Sequence, residues 1–253
     1  MSTDRTERLF EEGADRATYV QTMFSEISSR YDLMNRVMTV GQDLGWRRRA
    51  VRAVVRPGDT VVDAGTGTGD LALACINAGA AQVIGLDFAR PMLMRARTKA
   101  LRGEALRGEF GLTGFALGDA THLPLPDASV DVWCSAFVVR NIPDLDAALR
   151  EAARVLRPSG RLVVLEIPKM EAGPLRPFAR VHFKQIVPRL GRLISGHRSA
   201  YAYLPVSVDH FLTPREFTAR LRAAGFEVTQ VRRLMFGTVA MHVAEKPATS
   251  TAG

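Results

Sequence analysis

The chain has little with which to cross-link itself or to hold a metal. Its 253 residues include two cysteines, Cys75 and Cys134. Neither has the paired spacing of a zinc site or a disulfide framework, so both are expected to be reduced core thiols. His122, His182, His197 and His210 share no ligand-like spacing, and no metal is expected. Apolar runs such as Leu162 to Leu165 fall far short of the ~20 residues that a bilayer span needs. The amino terminus, M-S-T-D-R-T-E-R-L-F-E-E-G, has mixed charge and no apolar signal core, so the expected location is the cytoplasm. Internal repeats and low-complexity tracts are missing. The 47% hydrophobic and 24% charged residues argue against a disordered or fibrous chain, and the length suits one α/β domain with additions.

Positive charge is what the chain has in excess. The formal net charge is +8, most of it from arginine. Such a surface attracts nucleic acid or anionic lipid, although a plain solvated surface has the same signature.

Read in order, the chain begins with a frayed segment and then an amphipathic helix from Ala17, with Val20, Met23, Phe24, Ile27 and Tyr31 at helical spacing. A second helix follows Gly41 and Gly45, with Trp46, Ala50, Val51, Ala53 and Val54 on one side and Arg47, Arg48, Arg49 and Arg52 interleaved. Pro57-Gly58 ends this helical leader, residues 1–55, which is expected to act as a lid on a core of residues 56–247. From residue 60 strands and helices alternate: strands at 60–64, 82–86, 113–117, 130–136 and 161–167, with helices at 70–78, 90–101 and 145–156. That alternation predicts a parallel sheet with right-handed crossovers. After Pro168 it breaks. Residues 169–212 read as an inserted lid, with Phe178, Phe183 and Leu190 among Arg176, Arg180, Lys184, Arg189 and Arg192. A helix at 214–224 and strands at 226–231 and 238–244 complete the core, and residues 248–253 form a small polar tail expected to be disordered.

The turn after the first strand carries the chemistry. Thr60 to Asp70 reads T-V-V-D-A-G-T-G-T-G-D, which places Gly65, Gly67 and Gly69 at alternate positions around Thr66 and Thr68. A glycine-rich turn between a buried strand and a helix lets a ligand approach the backbone. The dinucleotide pattern G-x-G-x-x-G does not fit: Asp70 stands where its third glycine would be, and Asp63 precedes the turn. Two acids are awkward for a pyrophosphate and suit a cationic sulfonium ligand with an amino group, which points to S-adenosylmethionine. Asp87, followed by Phe88 at the end of the second strand, offers two oxygens to a ribose diol. Asp119 and the backbone NH of Ala120 close the third strand and would bracket an adenine edge. Acids at strand ends also cap helices, but three in register with this turn favour one ligand.

Further motifs resemble the ubiquinone and menaquinone biosynthesis C-methyltransferases, within the class I S-adenosylmethionine-dependent methyltransferases. They are Met23-Phe24, Ser29 to Asn35, Gly41 to Trp46, Gly85 to Phe88, Gly118 to Ala120 with Leu123-Pro124, Phe137 to Asn141, Ala200 to Pro205, and Met241-His242 before Lys246-Pro247. Residues 18–247 are covered. The stretches Tyr31 to Asn35 and Tyr201 to Pro205 are the most particular to the family. The resemblance implies a Rossmann-like seven-stranded, mostly parallel sheet with helices on both faces and an antiparallel last strand. It implies C-methylation of a polyprenylated quinol, either demethylmenaquinol or the equivalent benzoquinol. It also places Thr68, Asp87, Asp119 and Ala120 at the cofactor, with Ser135 or Ala136 close by. The family usually reads F-G-L-R-N where this chain has Phe137-Val138-Val139-Arg140-Asn141, so Val138 adds bulk at the expected pocket wall.

A quinol carbon becomes nucleophilic when its neighbouring hydroxyl, of pKa ~10, loses its proton, so a base or a cation is needed beside it. Arg140 is the first candidate for that cation, with Asn141 orienting the ring oxygen. A structural alternative for Arg140 is a salt bridge to Asp144 or Asp146. Tyr31 and His242 follow, placed at the pocket by the resemblance, although a histidine in an apolar strand is more often a core residue. The acceptor implies docking of the leader and the insertion on an anionic membrane surface, the inner face of the plasma membrane, with homodimer formation left open. Competing readings are a methyltransferase acting on another lipid or aromatic small molecule, and a non-catalytic S-adenosylmethionine-binding regulator. A nucleic-acid base methyltransferase is disfavoured: Ser135-Ala136-Phe137-Val138 stands where an acidic or polar residue followed by Pro-Pro-aromatic would be, and no Pro-Cys nucleophile is present.

Overall fold

Val61 and Val62 have no accessible surface, because β1 (Thr60–Ala64) is an interior strand of a sheet covered on both sides. The computed structural model describes residue 10 and residues 16–102, 111–171 and 198–248. Seven strands lie in the order β3-β2-β1-β4-β5-β7-β6: β2 (Gln82–Asp87), β3 (Gly111–Leu117), β4 (Val130–Ala136), β5 (Leu156–Glu166), β6 (Glu227–Leu234) and β7 (Val239–Glu245). The first five are parallel, and β7 runs antiparallel to both β5 and β6. Asp63 is paired with Gly85 on β2 and with Cys134 on β4, so the carboxyl ends of these strands come together where the strand order reverses. Open α/β sheets bind their ligands at such a point.

Helices α3 (Gln42–Val54), α4 (Asp70–Asn77) and α5 (Arg90–Arg102) cover one face, burying Trp46, Leu71 and Leu93 against Val83, Val132 and Val163. Helices α6 (Leu145–Val155) and α8 (Pro214–Ala223) cover the other, with Leu149, Phe217 and Leu221 packed on Val62, Trp133 and Val164. Full burial of each such aliphatic or phenyl side chain contributes about 1.5–3 kcal/mol. Cys75 and Cys134 are core thiols, their sulfurs 3.9 Å apart. Asp144 caps α6 by accepting from the NH of Ala147 at 2.8 Å, and Thr213 with Glu216 forms a capping box on α8. The buried Asp59–Arg161 pair, 2.8 Å, ties the start of β1 to β5.

The leader departs from the expected pair of helices. It forms α1 (Arg16–Ile27), a 3-10 turn at Ser28–Arg30 and α2 (Tyr31–Met38), then turns at Gly41 (φ 72°) into α3, which runs through Gly45. Ser28-Ser29 interrupts the first helix, as serines compete with the backbone for hydrogen bonds, and so Tyr31 starts a new helix. Ala53 is exposed, whereas Arg47 is buried with Trp46, Ala50, Val51 and Val54. The 3.6-residue period puts position 47 on the inward stripe. α1 and α2 build a third small core with α7 (Arg198–Asp209), in which Val20, Met23, Ile27, Met34 and Tyr203 are buried. The expected insertion thus contributes a helix, while its residues 172–197, with Phe178 and Phe183, lie outside the described residues, as do the linker at 103–110 and the tail at 249–253. β5 starts at Leu156 rather than Arg161, because Leu156 already pairs with Val130.

Candidate active site

The glycine turn is held by its own backbone. The NH groups of Gly65 and Thr66 donate to the carbonyl of Leu86 at 2.8 and 2.9 Å, and that of Gly69 to the carbonyl of Thr66 at 2.9 Å. Gly65 is required twice over: its φ is 72°, and a Cβ there would run into the side chain of Val138. Val138 therefore spends its bulk on the turn.

Asp63 is completely buried. Its Oδ2 accepts from the Thr66 hydroxyl at 2.7 Å, and Oδ1 has no partner among the described residues. Burial pushes its carboxyl up to about 6, against the Thr66 hydrogen bond and the charge of Arg47, which pull it down. Asp87 is also raised by burial, but both its oxygens are anchored, one by the NH of Gly67 and one by that of Ala89, each at 2.8 Å. A carboxylate oxygen accepts two hydrogen bonds, so each retains capacity for a ligand hydroxyl. Asp119 is exposed and accepts from the NH of Thr121 at 2.9 Å, with Ala120 half-buried beside it. A buried acid with an unmet oxygen, a diol-matched carboxylate fixed in place and a turn open to close backbone approach together fit a cationic nucleoside ligand such as S-adenosylmethionine.

Other predicted cofactor residues are already engaged. Ser135 donates to the carbonyl of Ala64 at 2.7 Å, stitching β4 to β1, and Ala136 is in the core. Thr68 is buried and donates to Asp32 of α2 at 2.6 Å. Phe88 packs in the leader's core and its carbonyl accepts from Gln21 at 2.7 Å. The leader is latched over the turn by charge as well. Lys99 of α5 pairs with Asp32 at 2.7 Å and Asp70 at 2.6 Å, and Arg36 of α2 pairs with Asp70 at 2.7 Å and also with Asp43. Burial would raise Asp70, but the charges of Lys99 and Arg47 and the hydrogen bonds of Arg36 and Lys99 hold its carboxyl below the usual range.

Past Val138, which packs on Gly65, lies an apolar cavity walled by Met23, Phe24, Met34, Trp46 and Met235, to which Tyr31, Phe137 and Arg140 bring polarity or strain. Tyr31 is raised by burial, opposed by the charges of Arg47 and Arg140 and by a hydrogen bond with Asn35. Phe137 adopts a left-handed backbone, φ 64°, which a non-glycine residue takes at a cost and which tends to mark functional sites.

Arg140 is brought to the cavity, but not as a lone cation. Its Nη1 donates to Glu166 and to the carbonyl of Phe137, both at 2.7 Å, and Glu166 also accepts from the NH groups of Arg140 at 3.2 Å and Ile167 at 2.8 Å. Neither expected acid is its partner, since Asp144 caps α6 and Asp146 pairs with Arg220 at 2.5 Å. Asn141 is buried, with a long 3.5 Å contact from Nδ2 to the Phe137 carbonyl and an Oδ1 that has no partner among the described residues. His242 does not line the cavity. Val239 faces it, and the two-residue period of β7 turns His242 to the opposite face. There its Nε2 lies 3.1 Å from the carbonyl of Pro214 and its ring meets Phe217 edge-on, while burial lowers its pKa against the pull of that carbonyl. His242 is a core residue.

Sequence reasoning missed Glu166, Asp43, Arg36 and Lys99, which become partners only through the tertiary fold. Arg47 it could have found, because position 47 falls on the inward stripe with Trp46, Ala50 and Val54.

Comparison with known proteins agrees with this geometry. The model of the ubiE/COQ5 methyltransferase family matches residues 12–246. A demethylmenaquinone methyltransferase of Thermus thermophilus is 47% identical over 228 residues, covering 89% of this chain and 100% of that protein. One from Deinococcus radiodurans is 42% identical, covering 92% and 94% respectively. A ubiquinone/menaquinone biosynthesis C-methyltransferase UbiE of Rickettsia rickettsii is 34% identical, covering 89% and 91%. Among solved structures, the [4+2]-cyclase SpnF aligns with a TM-score of 0.68 at 19% identity, covering 91% of this chain and 96% of that one. A Methanosarcina mazei methyltransferase aligns at 0.58 and 19%, covering 79% and 97%. These two likenesses speak to the fold, which hosts a cyclase as well as methyltransferases.

Proposed function

The chain belongs to the ubiE/COQ5 methyltransferase family, and on that premise we propose that it methylates a ring carbon of a polyprenylated quinol, converting demethylmenaquinol to menaquinol. It is a methyltransferase, and S-adenosylmethionine is its cofactor. The observation that carries the choice of acceptor is the apolar cavity of Met23, Phe24, Met34 and Trp46, which Phe137 lines one residue before the Val138 that packs on Gly65, with Arg140 as its cation. The relatives from Thermus and Deinococcus, both named demethylmenaquinone methyltransferases, support the naphthoquinol over the benzoquinol.

The cofactor supplies, when bound, a methyl group on a sulfonium with a good leaving group. The chain's own residues have then to bind, align and dry the partners. Asp87 would hold the ribose hydroxyls, Asp119 and Ala120 the adenine edge, and Asp63 with the turn the amino-acid end. On the acceptor side the apolar wall excludes water, which strengthens every charge interaction within it. Arg140, fixed by Glu166 and the Phe137 carbonyl, would stabilise negative charge on the quinol oxygen and so favour loss of its proton. Glu166 keeps that guanidinium in one place. Tyr31, whose own proton is held tightly by burial, would serve as a hydrogen-bond donor to the ring rather than as a base.

The test is release of S-adenosylhomocysteine by purified enzyme offered demethylmenaquinol, a demethylated benzoquinol or neither. Turnover with the naphthoquinol is expected to exceed the others at least tenfold; equal turnover with both quinols would remove the preference, and none with either would remove the function.

A further inference from the structure

Arg47 is a buried cation whose Nε finds no hydrogen-bond partner among the described residues. It lies on the inward stripe of α3, 5% exposed. Among the described residues its one carboxylate contact is a loose 3.9 Å from Nε to Asp43, a turn earlier. Asp43 is already engaged by Arg36 and by the Thr39 hydroxyl at 3.1 Å. The Arg47 guanidinium instead lies over the ring of Phe137, 5.2 Å from its centroid. A guanidinium has five donors, and burying it without acceptors is among the least favourable arrangements a core tolerates.

What stands near it is informative. Asp63 and Asp70 bracket the glycine turn, and the charge of Arg47 draws down both carboxyls. Asp63 in turn keeps Oδ1 unpartnered. A buried cation with an unpartnered Nε and a buried acid with an unpartnered Oδ1 thus stand near one turn without bonding each other among the described residues. An α-amino acid head group, with ammonium and carboxylate on a single carbon, is the complement of that pair. A planar guanidinium is suited to grip a carboxylate with two parallel hydrogen bonds.

We infer that Arg47 binds the carboxylate at the amino-acid end of S-adenosylmethionine, with Asp63 facing the ammonium. This rests on the cofactor reading above and adds to it a residue from the leader. Arg47 would then make cofactor binding depend on α3 being seated. The other oxyanion within reach is a deprotonated quinol, but the acids that Arg47 acts on belong to the cofactor turn, and the cavity already has Arg140.

Calorimetric titration of the full chain separates these. S-adenosylhomocysteine carries the amino-acid end, and 5′-methylthioadenosine has the same nucleoside and sulfur without it. Arg47→Met is expected to weaken S-adenosylhomocysteine at least tenfold and to leave methylthioadenosine within about twofold, with Arg47→Lys intermediate. Should Arg47→Met fail to fold, Arg47→Lys alone is expected to weaken the first ligand several-fold and spare the second. Equal weakening of both ligands, or of neither, would overturn the inference. Unchanged binding with a slower, pH-shifted turnover would overturn it in favour of the quinol oxygen. Failure of the wild-type chain to bind either nucleoside would instead strike the cofactor reading itself.

Discussion

Asp63 shows at the scale of one residue how the site stores chemical tension. A carboxylate with no access to water and one oxygen unmet resists ionisation, hence its value of about 6. Because the folded pKa lies above the unfolded one near 3.8, the contribution to stability is full below pH ~4 and is lost as pH rises through 6. A gap of that size corresponds to about 3 kcal/mol at pH 8. Asp63→Asn, which keeps an acceptor for Thr66, is therefore expected to raise the melting temperature at pH 8 by several degrees and to change it little at pH 4.5. Thermal melts across that range check it, and a mutational gain independent of pH would contradict it. The same variant should weaken cofactor binding, as is common where function holds an uncomfortable group in place. The acids at 63, 87 and 119 were legible in the sequence because strand ends and glycine turns are local signals. Arg140's partner was not, since Glu166 lies on the neighbouring strand and no spacing in the chain announces the pair.

Between elements, the latch of α2 on the sheet's carboxyl end decides how the site opens. Lys99 and Arg36 hold Asp70, and Lys99 also holds Asp32 and the Thr68 hydroxyl that donates to it. Lys99 is 28% exposed, so salt screens its share in part, while Asp70 is nearly buried and suffers more if left unpaired. Lys99→Met is expected to cost about 1–2 kcal/mol and to speed hydrogen exchange in residues 16–40 before the core strands respond. Uniform acceleration through the sheet would contradict a local latch. Strand and helix positions in the core matched the sequence pattern to within a few residues, because a two-residue period and a 3.6-residue period are hard to confuse over such lengths. The leader matched less well: its break at Ser28-Ser29 and the inward turn of Arg47 depend on what the helices pack against. His242 follows the same logic. Motif likeness put it at the pocket, and the alternation of β7 turned it to the other face.

For the whole molecule, the question is how the chain reaches a substrate with a polyprenyl tail. No helix among the described residues is long and apolar enough to cross a membrane. Val40 and Phe236 are 79% and 80% exposed, and both hold left-handed backbones, φ 52° and 57°. Each is next to a residue that lines the cavity, Thr39 and Met235. Arg48, Arg49, Arg52 and Arg232 are exposed on the elements next to these two turns, α3 after Val40 and β6 before Phe236. From that combination we propose a rim that dips into the surface of an anionic bilayer, apolar tips inward and arginines among head groups. Cosedimentation with anionic liposomes is expected, weakening as salt rises and falling several-fold in Phe236→Ser; binding that ignores both salt and this substitution would contradict the rim.

Methyl transfer to carbon rather than oxygen is the central claim, and isotope tracing tests it most directly. Enzyme supplied with S-adenosylmethionine labelled with carbon-13 in its methyl group, and with demethylmenaquinol, is predicted to yield a product whose label resonates as a ring-bound methyl. A label resonating as a methoxy group, or one found only in unreacted cofactor, would contradict the account.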